Sequence, residues 1–248
     1  MRDLTELTDV EAPAWPLLSE VLARGEVHVD VLPAEPERAR AALHQLQITT
    51  RSHLGAVVLN CGGLVVDSGW LRVYGSPGPD PVTDLPGVPT LPSLAEVNGF
   101  PPVPDPAWRP RDGLVVAHDV LGGVFTVNGP DPQAAGRPGA PGEMVYFGPD
   151  SLRWEGLEAG YGTWLTWLLG GGITQFYGTL RWPGWRAETG ALQGTQGLSF
   201  APYLWTAEAK RDLPGTSRRA VPLSELMGVA RAFCHQLDDL DPGFLGRM

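Results

Sequence analysis

Leu64-Val65-Val66-Asp67-Ser68-Gly69-Trp70-Leu71-Arg72-Val73-Tyr74 is the stretch whose reading decides the fold. Two runs rich in β-branched and aromatic residues, Leu64–Asp67 and Trp70–Tyr74, flank Ser68-Gly69, a pair able to supply the positive φ of a tight hairpin turn. Further along, Leu114–His118 and Val124–Asn128 flank Leu121-Gly122-Gly123, a second hairpin pattern, and Met144–Phe147 reads as another strand. Strands that turn back on themselves at short intervals build an antiparallel or mixed sheet.

Helical patterns surround these strands. Asp3 and Glu6 have capping-box spacing, and Leu18, Val21 and Leu22 form a stripe closed by Gly25. Glu35–Leu46 places Ala39, Ala42, Leu43 and Leu46 on one face. Ser52–Cys61 carries strand-forming valines yet fits a helical stripe, and Ser52 as N-cap with Gly62 past the end favours the helix. Tyr161–Leu169 predicts a helix ended by Gly170-Gly171-Gly172, and further helices are expected over Ile173–Thr179 and Pro183–Ala191. Extended pieces follow at Leu198–Trp205 and Arg219–Val221, and Leu223–Leu237 closes the pattern as a helix. The expected architecture is an α+β fold over residues 1–248, a sheet flanked by helices with a helical, tryptophan-rich C-terminal elaboration at about 173–248.

Proline is dense from Gly75 to Pro110, where it removes donors and fixes φ, and a short helical turn fits Ser93–Val97. The segment at about 75–112 reads as an excursion over one core rather than a boundary between domains. Gly129–Gly142 is a Gly/Pro/Ala loop with no bulky apolar anchor, expected to be mobile.

Composition narrows the function classes. The 248 residues are 43% hydrophobic and 19% charged, enough to bury a sizeable core. The net charge of −10 opposes binding to nucleic acid or anionic membranes and would attract a basic partner. The N-terminus lacks the apolar run of a signal peptide, and no stretch approaches the roughly 18 residues of a membrane span, so the cytoplasm is the expected compartment. Cys61 and Cys234 lie in no metal-ligand spacing and read as buried thiols.

No familiar catalytic layout emerges. None of the five histidines lies in a compact metal motif, and Ser52-His53 lacks a nucleophile elbow. No metal or cofactor is expected. Two constellations stand out. The first is aromatic: Trp154, Trp164, Trp167, Trp182, Trp185 and Trp205 crowd one part of the chain, and Arg181-Trp182-Pro183-Gly184-Trp185 has the composition of an interface anchor. Core packing accounts for most of these indoles, while Trp70, Arg181, Trp182, Trp185 and Trp205 are the candidates for a partner surface. The second is polar: Asp67, His118, Asp119 and Asn128 sit beside expected strand ends and would form a site if the fold gathered them.

Ala14-Trp15-Pro16-Leu17, Thr49-Thr50-Arg51-Ser52, Gly62-Gly63, Asp67-Ser68-Gly69-Trp70-Leu71-Arg72, Phe176-Tyr177, Arg181-Trp182-Pro183-Gly184-Trp185 and Tyr203-Leu204-Trp205 together resemble a bacterial family known as domain of unknown function 2625, over nearly the whole chain. More distantly, Asn60-Cys61-Gly62-Gly63, the strand pair through Tyr74, the Gly122-Gly123 hairpin and Tyr161–Leu169 follow one another in an order that is similar to the SUKH superfamily. Many SUKH proteins are immunity factors that neutralise a cognate toxin, so this resemblance implies a SUKH-like fold and a non-catalytic protein-binding role, and the acidic charge adds that the toxin partner would be basic. An enzyme or small-molecule binder built on the polar set is the alternative. The oligomeric state is left open by the sequence.

Overall fold

The computed structural model describes residues 1–79 and 90–248. Seven strands, β1 (Val29–Leu32), β2 (Gly63–Val66), β3 (Leu71–Tyr74), β4 (Gly113–Asp119), β5 (Val124–Asn128), β6 (Glu143–Gly148) and β7 (Arg153–Gly160), pair in chain order. Every pairing is antiparallel, which removes the mixed-sheet alternative. The hairpin of β2 and β3 sets Val66 opposite Leu71, and its bend takes four residues rather than two. Asp67, Ser68 and Gly69 all adopt positive φ, at 51°, 57° and 77°. β4 is buried along its whole length because Leu114-Val115-Val116-Ala117 offers apolar side chains to both faces.

The helices are α1 (Leu4–Thr8), α2 (Trp15–Arg24), α3 (Pro36–Leu46), α4 (His53–Asn60), α5 (Leu94–Asn98), α6 (Tyr161–Trp167), α7 (Ile173–Phe176), α8 (Trp185–Gly190), α9 (Ala207–Arg211) and α10 (Leu223–Asp238). α4 starts at its expected cap, where Ser52 Oγ accepts from Gly55 N at 3.0 Å. α1 and α5 carry complete capping boxes, from Asp3 with Glu6 and Ser93 with Glu96. One face of the sheet is covered by α6 and α7, with Trp164 and Phe176 against Phe125 at 5.2 and 5.9 Å between ring centroids. α4 packs beside α6, and α2 and α3 pack on α4. The opposite face is covered by the closing segment 239–248, whose Leu245 carbonyl meets His118 of β4.

β3 and β4 are neighbours in the sheet, so the proline-rich segment joins two paired strands; its residues 80–89 lie outside the described residues. Where it returns, Asn98 at the end of α5 takes the place of a missing strand. Its side chain accepts from Val115 N and donates to Val115 O, both at 2.8 Å, beyond the point where β3 stops pairing with β4. A small ribbon of β8 (Gln196–Ala201) and β9 (Ser217–Pro222) hangs from the turn after β4 through Leu198 N on Val120 O, and α10 packs against it.

Several expectations are corrected. The glycines 170–172 kink the helical path instead of ending it: Leu168–Gly172 forms a π-turn, with Gly171 at φ +95°, and helix resumes at Ile173. The following helices are shorter than expected, Ile173–Phe176 and Trp185–Gly190. The loop 129–142 is tied down, because Arg137, 3% exposed, donates to Asp112 O and Phe244 O while Asn128 Nδ2 donates to Pro138 O. Its anchors are polar, which an apolar criterion overlooks. β1, β7 and α9 carry no clear signal in the sequence; β7, Arg153-Trp154-Glu155-Gly156-Leu157-Glu158-Ala159-Gly160, is too polar and glycine-rich to be read as a strand.

Candidate functional site

Five of the singled-out residues meet at one knot. The turn after β2 presents Asp67 to Arg181, Oδ2 to Nη2 at 2.5 Å, with both side chains about nine-tenths buried. Arg186 approaches the same carboxylate at 3.8 Å. Trp70 lies 5.3, 5.7 and 5.0 Å from the rings of Tyr177, Trp182 and Trp185. The Arg181 guanidinium stacks over Trp185 and Trp70 at 4.2 and 5.0 Å. Burial lowers the pKa of Arg181, and Asp67 opposes that shift. Trp182 Nε1 donates to Glu188, which also holds Arg218 at 3.0 Å. The knot fastens the C-terminal elaboration to the first hairpin.

This geometry corrects the aromatic partner surface. Trp70, Trp182 and Trp185 are buried, and Arg181 is enclosed by them, so these four present no face to a partner. Trp205 alone of that set is only half-buried, stacked on Tyr203 at 4.5 Å with an interplanar angle of 11° and flanked by Phe233.

The polar set is corrected likewise: Asp67, His118, Asp119 and Asn128 do not share a pocket. Alternation along β4 sends His118 and Asp119 to opposite faces of the sheet. Asp119, fully buried, accepts from Leu121 N and Gly123 N on Oδ1 and from the Tyr146 and Tyr177 hydroxyls on Oδ2, each at 2.8 Å. Burial raises its pKa, while the four donors pull it down and suit the ionised carboxylate. Gly123 is glycine because a Cβ there would collide with Asp119 Oδ2 and the Tyr146 hydroxyl. Through Tyr177 the carboxylate pins α7 to the sheet.

On the opposite face, His118 is also fully buried. Its Nε2 lies 2.8 Å from Leu245 O, a pure acceptor, so Nε2 carries the proton and Nδ1 accepts from the Tyr74 hydroxyl at 2.8 Å. Burial drives its pKa down to about 4; the bond to Leu245 opposes this, and the nearby Arg72 cation assists it. Arg72, opposite His118 in the register, donates from Nη1 to Gln196 O. Burial lowers its pKa to about 10, with Tyr74 and Asp119 pulling the other way. Asn128 lies at the far end of β5 as a loop anchor. Among the described residues, no group of three His, Cys, Asp or Glu gathers to hold a metal ion.

What the surface does offer lies along the last strand. Among the described residues β7 pairs only with β6 and so forms an edge of the sheet, with its residues half-buried or exposed. Beside it runs a groove of about 440 Å³ lined by Leu157, Glu158, Thr163, Trp164, Trp167 and Phe176. It continues past Thr163 and Trp167 toward His53 and Gly162. Trp167 is 41% exposed, the most open large aromatic among the described residues.

The model of a family described as protein of unknown function DUF2625 matches residues 4–226. The chain belongs to the DUF2625 family. That match spans the whole seven-stranded sheet, the tryptophan knot and the β7 groove, and stops early in α10, before the segment 239–248. Among curated proteins, the chain is 35% identical over 226 residues to the putative uncharacterised protein YbfG of Escherichia coli K12, covering 91% of this chain and 94% of that protein. It is 32% identical over 206 residues to an uncharacterised protein of Haemophilus influenzae, covering 82% and 83%. No solved structure matches the chain. Among the described residues, no helix is long and apolar enough to cross a membrane.

Sequence reasoning passes over Tyr74, Tyr146, Tyr177 and the β7 groove. The one signal it offers is Arg72, a charge inside an otherwise apolar strand, which must find partners when both faces are covered.

Proposed function

We propose that this DUF2625 protein is a non-catalytic, cytoplasmic protein-binding module that takes an extended, basic segment of a partner along β7. One observation carries the reading: β7 is an edge strand, paired on one side with β6, and lies beside a groove whose open wall is Trp167. An added strand would pair with the outer backbone groups of β7 from Trp154 to Gly160 and drop alternate side chains against Leu157, Trp164 and Phe176. Glu155 and Glu158 on the same strand repel a second copy of that edge and favour lysine or arginine in the partner. The overall charge of −10 acts in the same sense at longer range. The SUKH-like order of elements supports the finer reading, an immunity or regulatory protein acting on a basic toxin.

A random peptide library displayed against the immobilised protein tests the binding mode. Enriched sequences should be extended and cationic with large apolar residues at alternate positions, and should be lost on Trp167→Ala. Enrichment of acidic sequences, or equal enrichment on the variant, would refute it. The immunity role is tested separately, by whether co-expression protects cells from a toxin encoded beside the gene.

A further inference from the structure

The segment that covers the second face of the sheet is held in an unusual way. Residues 239–248 form no helix or strand, yet four consecutive carbonyls, from Pro242 to Leu245, each accept from a side-chain donor. Trp154 Nε1 donates to Pro242 O at 2.9 Å, Arg231 Nη2 to Gly243 O at 3.1 Å, Arg137 Nη2 to Phe244 O at 2.9 Å, and His118 Nε2 to Leu245 O at 2.8 Å. The donors come from β7, α10, the loop 129–142 and β4. One backbone bond follows, Arg247 N to Val97 O at 2.8 Å. Pro242 and Leu245 are the buried anchors, three residues apart. A row of donors reading successive carbonyls, with two buried apolar side chains at fixed spacing, is how a groove recognises an extended peptide.

The junction before the segment is a left-handed helix cap. α10 ends at Asp239 in the left-handed region, φ +51°, without the freedom of glycine, and the chain turns back through Leu240 N on Cys234 O. Leu237 and Leu240 beside it are 60% and 50% exposed, apolar surface left uncovered at the bend. Extending the chain through Asp239 would release the left-handed residue and carry 240–248 away from its own groove.

We infer that the groove formed by His118, Arg137, Trp154 and Arg231 is a peptide-binding site whose ligand in trans is the segment 240–248 of a second copy, exchanged reciprocally to give a dimer. The fit of that ligand is already specified, because every contact that holds the segment in cis forms equally in trans. The exposed Leu237 and Leu240 would then meet their counterparts across the new junction. Of β7, the exchange engages the Trp154 side chain, which would donate to Pro242 O of the second copy.

The test uses the full chain. A protease site is placed between Asp239 and Leu240, the protein is folded and cut, and a fluorescent synthetic peptide of residues 239–248 is added. The labelled peptide should replace the cut segment, and a Leu245→Asp peptide should bind about tenfold more weakly or worse, since it buries a charge where leucine sat. Uncut chains, concentrated and analysed by light scattering, should form dimers that Leu245→Asp abolishes. A cut protein that stays folded but neither releases its segment nor accepts the labelled one would overturn the inference. So would a cut protein that unfolds, which would make the segment part of the cooperative core, and so would an uncut chain that stays monomeric at every concentration.

Discussion

The buried imidazole of His118 makes stability depend on pH in a way that one variant isolates. In the unfolded chain His118 protonates as pH falls through about 6.5. In the folded protein burial holds its pKa down at about 4. Between these values the unfolded state binds the extra proton and the folded state does not, so stability falls as pH falls. The contribution is full above 6.5 and is lost on approaching 4. At 1.36 kcal/mol per pH unit, the displacement from 6.5 to about 4 corresponds to about 3 kcal/mol. His118→Gln keeps a donor for Leu245 O and has no proton to take up. The assay is urea unfolding of both proteins at intervals from pH 7.5 to 4. The wild-type stability minus that of the variant should drop by about 3 kcal/mol across the range, while groups common to both proteins cancel. A difference that stays flat, or rises as pH falls, would show that His118 is not a buried neutral imidazole and would sink the argument.

Tyr177→Phe removes one of two hydroxyls on the buried Asp119 carboxylate and should destabilise the protein by about 1.5–3 kcal/mol in the same unfolding assay, with Tyr146→Phe similar and the double variant non-additive. Asp67→Ala strands the enclosed Arg181 guanidinium without its partner and should cost about 3 kcal/mol, read as a lowered urea midpoint; Asp67→Ala with Arg181→Met should recover part of it. Trp167→Ala, by contrast, should weaken selected cationic peptides at least about tenfold, by fluorescence anisotropy, while moving stability by only about 1 kcal/mol. Burial pushes the Cys61 thiol up to about 12, and Cys234 is buried too, so neither should react with a thiol reagent until the protein unfolds.

The family relationship was legible in the sequence, because the tryptophan-containing motifs that suggested it span the same residues that the family model matches. So was most of the secondary structure. Ser52, Ser93 and the Asp3–Glu6 pair cap helices through bonds to residues three positions on, and the Ser68-Gly69 bend turns a hairpin through its own backbone, so the information is local. The sites were not legible, because what decides them is not local. His118 and Asp119 are adjacent in the chain, yet pleating separates them into two layers, each completed by residues from distant elements: Tyr146 and Tyr177 for one, Tyr74 and Leu245 for the other. Trp182 and Trp167 look alike as letters. Packing against Trp70 hides the first, while the second lines a groove beside the last strand of the sheet, where no further strand among the described residues covers it. The sequence alone determined most of the elements and the family; only the tertiary structure decided which aromatic faces water and which polar group finds a partner, since burial depends on what the rest of the chain places overhead.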